Sequence, residues 1–452
     1  MRGGHFIYTA PQNYIWLKVH KIMFIRTTVN FMQVARVLTI NLTRSLNKEQ
    51  LTIINHLTYS ASKLWNVSNY EVIQRDINPN KIDTQMKNNF WFKNLHSQSA
   101  QAVCQKLTIA WNNFFKQHTK RPRYQPKDGH YPVKWKKQGF KIVGNKLRLS
   151  LSKQTKNYLK GKYGIKSKYL WVRLPKALPL DVINGLKEIE IVPQTIYGIT
   201  YYILHLIYKK AVIPSPAKEN NILSIDLGIK NLATAVTNTG RAVIYDGKRL
   251  ISKFRWFAKT KGGLQSELRR SGELQNPKDF VQSTLTKQEL KNNKRLSRLT
   301  VKEKSYTKDY LHKVSKMIVD FAVENETSKI IIGELNKGIS NINIGRKNNE
   351  KLHRIPFGRL VSMIMYKAEE KGITVEQVNE AYTSQTCSNC GVVKKSNRKF
   401  RGLYVCSNCG TVLNADINSA LNILKKVYGV ALNLLNGDRG SGLGHPCRVS
   451  PY

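Results

Sequence analysis

Acidic residues are what this 452-residue chain lacks most: 28 Asp and Glu stand against 75 Lys and Arg, a formal net charge of +47. A chain so unbalanced repels itself unless a polyanion neutralises it, which points to nucleic acid as the partner. Long apolar runs are missing too. None approaches the ~20 residues a membrane helix needs, and the bases spread along the chain instead of flanking one amphipathic helix, so no membrane partner is expected. Cysteine is scarce, at six, and four of these stand in metal-ligand spacing. That usage fits a reducing compartment: the cytoplasm, at the nucleoid in a prokaryote, or the nucleus of a eukaryote. Residues 1–31 contain no acid and no compact apolar core of a secretory signal. They read as a disordered extension, or as translation upstream of a start at Met32. What is present, 41% apolar residues and seven tryptophans, marks a globular chain of roughly two to four domains.

The most informative stretch runs from Glu380 to Ile423. It carries Cys387/Cys390 and Cys406/Cys409, two CxxC pairs with fifteen residues between them, the spacing of a zinc ribbon. Asn389 with Gly391, and Asn408 with Gly410, suit the tight turns that aim two thiolates at one ion. Four sulfurs at ~2.3 Å saturate a tetrahedral zinc, so the ion is structural and one per chain. Two disulfides are the alternative, and they would need an oxidising compartment. Glu380 precedes the ribbon and Asp416 follows it, so a clip that joins the knuckles also draws these carboxylates together. Asp416 equally suits the first turn of a helix, because Ala420, Ile423, Leu424 and Val427 repeat behind it at helical spacing.

Val34–Leu42 alternates as a strand. From Asn47 to about Gln117 two stripes, Leu51/Ile54/Leu57/Leu64 with Trp65 and Ala102/Val103/Lys106/Leu107/Ala110/Trp111/Phe114, predict a lobe of three or four helices. Residues 110–175 carry eighteen Lys and Arg against one acid, Asp128, with aromatics interleaved and short alternating runs behind them. This predicts a small β-barrel or sheet that binds RNA, phosphates taking the charge and unstacked bases the flat rings. Lys134, Lys136, Lys137 and Lys141 are the candidate contacts there.

From Asn221 the pattern changes. NILSIDLGIKNLATAV is an apolar strand ending at Asp226, a turn at Gly228 and a second strand, with RAVIY as a third; three antiparallel strands with an acid on the first open an RNase H-like fold. Residues 285–310 are densely basic and predict a helical hairpin, with Lys291, Lys294, Arg295 and Arg298 as nucleic-acid contacts. A separate helix through Leu311, Val314, Ile318 and Phe321 follows. SKIIIGEL, ending near Glu334, then a helix and ITVEQVNEAY, ending at Glu380, predict a parallel βαβ unit. Residues 431–452 read as a disordered tail with a free Cys447.

Asp226, Glu334 or Glu380, and Asp416 each end or follow an apolar run of one α/β domain. Clustered carboxylates repel unless divalent ions neutralise them, and two Mg2+ about 4 Å apart can activate water and stabilise a leaving 3′ oxygen. With a basic surface around it, such a site implies nucleic-acid hydrolysis.

SIDLGIKNLATAV, GELNKGISN, YTSQTCSNCG and NADINSALNIL resemble the RuvC-like domain and ribbon of the TnpB family, transposon-encoded RNA-guided DNA nucleases related to type V CRISPR effectors and to the eukaryotic Fanzor nucleases. The likeness is strong over 221–427 and weaker over SQSAQAVCQKLTIAWNNFF. It implies a multidomain α+β chain: a RuvC-like RNase H-fold nuclease domain (219–386 and 410–430) holding the four-cysteine zinc ribbon (387–409). An N-terminal β-barrel wedge (32–46 and 118–218) with an inserted helical recognition lobe (47–117) would precede it. It also implies a monomer that takes a guide RNA and cuts double-stranded target DNA beside a short flanking motif, with Mg2+ at the site. One departure stands out: Gly333 occupies the family's usual glutamate position. Some members look as though they replace that glutamate with one just upstream of the ribbon, which matches Glu380. The expected triad is therefore Asp226, Glu380 and Asp416, with Glu334 the alternative second carboxylate. A nuclease-dead RNA-guided repressor and a DNA-strand transposase are the rival functions.

Overall fold

The computed structural model describes residues 33–43, 45–270, 287–334, 353–400, 402–428, 443 and 446–452. The expected 1–31 extension and most of the 431–452 segment lie outside these residues, as does the loop after Glu334.

The first half runs β1 (Gln33–Asn41), α1 (Lys48–Gln74), α2 (Ser97–Phe115), β2 (Val133–Lys136), β3 (Phe140–Val143), β4 (Lys146–Ser150), α3 (Lys153–Tyr163), β5 (Tyr169–Arg173), β6 (Leu186–Ile196) and β7 (Ile199–Ala211). Asn47 starts α1 with a reciprocal cap: its side chain accepts from Gln50 N while the Gln50 side chain accepts from Asn47 N, so two otherwise orphan donors are satisfied. The predicted stripes bury Ile54, Leu57 and Leu64 of α1 in one core with Val103, Leu107 and Trp111 of α2, whereas Leu51, in the first turn of α1, stays exposed. The strands expected to form one barrel are hydrogen-bonded as two sheets, β1-β7-β6-β2 and β3-β4-β5, and no pairing joins them among the described residues. A 3-10 turn at Lys137–Gly139 separates β2 from β3. Gly139 packs there against the buried Trp135 ring, a Cβ at that position falling 3.0 Å from Trp135 Cδ1.

The second half runs β8 (Lys218–Leu227), β9 (Asn231–Thr237), β10 (Ala242–Asp246), α4 (Lys248–Arg270), α5 (Lys287–Glu324), β11 (Thr327–Glu334), α6 (Phe357–Glu369), β12 (Thr374–Asn379), β13 (Arg398–Phe400), β14 (Leu403–Val405), β15 (Val412–Leu413), α7 (Ala415–Tyr428) and β16 (Cys447–Val449). Its main sheet has the order β12-β11-β8-β9-β10-β16. β8, β9 and β10 are antiparallel neighbours and β11 runs parallel to β12, as the two hydrophobic patterns predicted; β11 also runs parallel to β8, a pairing no pattern indicated. The central stretches Ile222–Ile225 of β8 and Ile330–Gly333 of β11 are buried, as expected of inner strands covered on both faces. Arg36 of β1 ties the halves together, donating to Glu370 Oε1 at 2.5 Å and to the Tyr366 carbonyl at 2.6 Å.

Two expectations are corrected. The basic run at 285–310 is, over its described residues from Lys287 on, not a hairpin with a separate helix after it but part of α5, a single helix of 38 residues. No Gly or Pro interrupts that span, and Leu296, Tyr310, Leu311, Val314 and Ile318 along it are all buried. The second concerns the segment assigned to a disordered tail. Cys447–Val449 forms β16, parallel to Val243–Tyr245 of β10. An edge strand presents unpaired backbone groups that a further segment can satisfy, and composition alone cannot reveal that partner. No described helix is long and apolar enough to cross a membrane.

Candidate functional site

Three elements converge at the end of the main sheet, around a cavity of about 280 Å3 lined by Asp226, Gly228, Asn231, Glu380, Arg398 and Asp416, among others. The β8–β9 return places Asp226 at its wall. Only glycine fits the turn, because a Cβ on Gly228 would stand 2.6 Å from the Asn231 carbonyl oxygen. Asp226 keeps a partly open face toward the cavity. Its carboxyl is nonetheless pushed well above the ordinary aspartate range, by desolvation first and then by the charges of Asp416 and Glu380.

Glu380 enters from just beyond β12. Burial raises its carboxyl as well, and its Oε2 is buried without a hydrogen-bond partner. The space it occupies is the one a side chain at position 333 would need: a Cβ on Gly333 would lie 2.7 Å from Glu380 Oε2 and 2.9 Å from Ile423 Cδ1. The missing side chain on β11 and the carboxylate arriving from β12 are therefore one steric arrangement. Glu334, one residue further, points to the other face of the strand and does not line the cavity.

Asp416 sits in the first turn of α7, where its backbone N–H is capped by Asn414 Oδ1 at 3.0 Å. Both carboxylate oxygens are held: Oδ2 accepts from Asn231 Nδ2 at 2.7 Å, and Oδ1 from Arg398 Nη2 at 3.0 Å. Arg398 belongs to β13, inside the cysteine-bearing segment, so that segment reaches into the acidic cavity directly. Carboxylate oxygens, one of them buried and unpartnered, thus line one cavity, and oxygen is the donor type that hard divalent cations take, although these three acids do not all lie within 4.8 Å of one another.

The four cysteine sulfurs all lie within 4.8 Å of one another, the only such set of three or more possible ligands among the described residues. Cys387 Sγ–Cys409 Sγ is 3.7 Å and Cys390 Sγ–Cys406 Sγ is 3.6 Å. Ligands at ~2.3 Å from a tetrahedral zinc would stand about 3.8 Å apart, so the cluster has the dimensions of a zinc cage. No disulfide joins any of the six cysteines. The knuckles are built alike. Cys387 N donates to the Val392 carbonyl and Gly391 N to the Cys387 carbonyl; Cys406 N and Gly410 N repeat the pattern with Thr411 and Cys406. Gly391 and Gly410 take φ of 77° and 69°, the left-handed turn that glycine allows without a steric penalty. α7 holds the cluster from below. Asn418 Oδ1 accepts from Ser388 N at 2.9 Å, and Asn418 and Asn422 both donate to the Thr386 carbonyl.

The predicted basic contacts divide. Lys134 Nζ is bound to Glu188 Oε2 at 2.7 Å, across the β2–β6 pairing, and Lys136 is half-buried on the same strand. Lys137, Lys141, Lys291, Lys294, Arg295 and Arg298 are exposed. Lys294 and Arg298 face a second cavity, of about 1100 Å3, whose walls include His56, Tyr59, Trp91 and Tyr158. His56 stacks on Tyr158 with centroids 4.4 Å apart, and burial lowers its pKa, which favours the neutral ring.

Two family models match the chain: the probable transposase OrfB_IS605 over residues 205–338, and the TNB domain of Cas12f1-like proteins over 357–423. The chain is 25% identical over 403 residues to the TnpB-like protein ORF457 of Acidianus two-tailed virus, with 84% of each chain covered. The chain is therefore TnpB-like over most of its length. The TnpB-like chain is also 25% identical to the putative RNA-guided DNA endonuclease InsQ of Escherichia coli K12, over 75% of this chain and 77% of that protein. Its fold is similar to that of Cas12f1 in a solved Cas12f1–sgRNA–target DNA complex, with a TM-score of 0.58, 18% identity and 83% of each chain covered.

Within the TnpB-like chain, the OrfB_IS605 match contains Asp226 and Glu334, and the TNB match contains Glu380, the four cysteines and Asp416. Sequence reasoning missed Asn231 and Arg398, the two partners of Asp416. A polar residue beside a turn and a base within a ribbon carry no periodic signal. Asn418 and Asn422 were legible in principle, being four apart and so on one helical face with the N-cap Asn414.

Proposed function

We propose that this TnpB-like chain is an RNA-guided DNA endonuclease of RuvC type. On this reading Asp226, Glu380 and Asp416 form the catalytic site in an RNase H-like domain, and the thiol cluster is a structural zinc ribbon. The observation that carries the assignment is Glu380: its buried, unpartnered oxygen lies in the space left by Gly333, in one cavity with the other two acids. The three carboxylates would hold Mg2+, which when bound supplies Lewis-acid activation of water and charge neutralisation at the cleaved phosphodiester. The chain's own residues fix where that happens. Asn231 and Arg398 orient Asp416, and the turn at Gly228 sets Asp226. Because Asp226 and Glu380 both hold protons more tightly than ordinary carboxylates, cation binding competes with protons and weakens as pH falls. Guide RNA and target DNA are the proposed partners, DNA being cut beside a short flanking motif. The exposed bases Lys137, Lys141, Lys291, Lys294, Arg295 and Arg298 are the proposed phosphate contacts.

The experiment is to purify the protein with its RNA, sequence that RNA, and assay Mg2+-dependent cleavage of a plasmid matching the guide segment. Guide-directed cutting establishes the reading. Guide-directed binding without cutting favours the repressor instead, and RNA-independent strand transfer favours the transposase.

Two variants probe the details. Gly333→Ala must displace both the Glu380 carboxylate and the buried Ile423 methyl, so the melting temperature should fall by a few degrees, the result of about 1 kcal/mol or more of overpacking. A shift of about 1 Å in a reacting constellation can cost about a hundredfold in rate, the loss expected in plasmid cleavage; wild-type cleavage by this variant would remove Glu380 from the site. Neutralising Lys294 and Arg298 should weaken RNA binding and flatten the plot of log affinity against log salt by about one per lost phosphate contact. Lys134→Ala should leave that slope unchanged, its charge being already matched by Glu188. Filter-binding titrations at several salt concentrations distinguish the two, and equal slopes for all variants would make these bases solvated surface.

A further inference from the structure

The segment around β16 is anchored at several points. Leu443 is 1% exposed, in a small core with Val236, Ala242, Ile417 and Leu421. Cys447–Val449 pairs with β10. The Tyr452 ring stacks on Tyr306 at 5.9 Å and 10°, with Lys313 Nζ 3.7 Å from its centroid and Arg249 Cζ at 5.4 Å. Between these anchors Arg448 is directed back toward the acidic cavity. Its Nη1 donates to Asn231 Oδ1 at 2.6 Å and stands 3.6 Å from Asp246 Oδ1. Asn231 Nδ2 in turn donates to Asp416 Oδ2 at 2.7 Å.

The chemistry of this relay allows one orientation. A guanidinium carries only donors and an ionised carboxylate only acceptors, so the amide between them must turn its oxygen to Arg448 and its nitrogen to Asp416. Remove the guanidinium and the amide loses what distinguishes its two ends. It can then flip and present oxygen to the carboxylate, a repulsive contact that leaves Asp416 free to rotate about Arg398 alone. Outer partners of this kind set the direction of a ligand's lone pairs, and removing one costs about 10- to 100-fold in metal affinity.

We propose that Arg448 is a positioning residue for Asp416, acting through the Asn231 side chain, so that docking of β16 completes the carboxylate site. The proposal rests on the reading of Asp226, Glu380 and Asp416 as a cation site. A strand far along the chain, absent from both matched family segments, thereby becomes part of the cavity's outer wall.

The test is calorimetric titration of Mn2+ into the zinc-loaded protein with its copurified RNA and no target DNA, so that cleavage is not the readout. Arg448→Ala and Asn231→Ala should each weaken Mn2+ binding about tenfold, and Arg448→Lys should recover most of the loss. The double variant should bind no more weakly than Asn231→Ala alone, because Arg448 has no other route to the site. Should Arg448→Ala fail to fold, Arg448→Met keeps the packing stem without the donors and should show the same tenfold loss. Unchanged Mn2+ affinity on losing the guanidinium overturns the proposal, as does a further loss in the Asn231→Ala background, which would assign Arg448 to Asp246 or to strand docking. Asp416→Ala separates the two levels. If it binds Mn2+ like the parent, the carboxylate reading falls and takes this proposal with it. If it binds weakly while Arg448→Ala is unaffected, only this proposal falls.

Discussion

Asp226→Ala and Asp416→Ala are each expected to lower guide-directed plasmid cleavage by about a thousandfold or more, some 4 kcal/mol of transition-state stabilisation. Target binding should remain intact, since removing negative charge does not loosen the hold on a polyanion. On the proposed reading the reason lies in the shared cavity: each acid would supply part of one donor set, and loss of any member would leave a cation under-coordinated and the attacking water misplaced. Glu380→Gln should fail to the same degree. Its size is nearly unchanged and it still fills the space over Gly333, but a neutral amide oxygen replaces the buried carboxylate. Glu334→Gln should keep most of the activity, because that side chain does not line the cavity. All four are compared by plasmid cleavage at matched protein and guide concentrations. A dead Glu334→Gln beside an active Glu380→Gln would reverse the assignment of the second carboxylate, while normal cutting by both would remove the three-carboxylate site.

Loss of zinc is the second large effect. β13, β14 and β15 are two or three residues long, and their core is Cys387, Tyr404, Cys406 and Ala415. So little apolar burial cannot hold such a segment, whereas structural zinc in small domains supplies about 10–16 kcal/mol of apparent binding energy coupled to folding. Cys406→Ser removes a buried ligand that Asn397 also contacts, at 3.8 Å. It should reduce bound zinc from about one per chain to a small fraction and unfold the ribbon while the main sheet persists. Cleavage should fall with it, because Arg398 reaches Asp416 only from a folded ribbon. Elemental analysis, thermal melts and cleavage on one preparation provide the check. A zinc-free protein that melts and cuts like the parent would show that the cluster is not a metal-coupled fold.

The sequence by itself determined much of this protein. Nucleic acid as the proposed partner class followed from +47 of net charge; the thiol cluster followed from CxxC spacing, because a turn brings residues three apart to one point whatever surrounds it. The antiparallel trio β8–β10, the parallel β11–α6–β12 unit and the helical stripes of α1 and α2 followed from hydrophobic periods of two and 3.6, which are properties of the local backbone. Tertiary structure decided what no local pattern carries. That the strands after α2 pair as two sheets accompanies a turn packed against Trp135. That α5 runs unbroken depends on a continuous buried face. That Glu380, and not Glu334, enters the cavity depends on which face of β11 lies open, and Gly333 opens it by lacking a side chain. Asn231, Arg398 and Arg448 converge on Asp416 from three distant points of the chain, brought there by strand pairing and a thiol clip. Side chains of that kind gain their roles from neighbours far away in sequence, and only the folded arrangement of the whole chain supplies those neighbours.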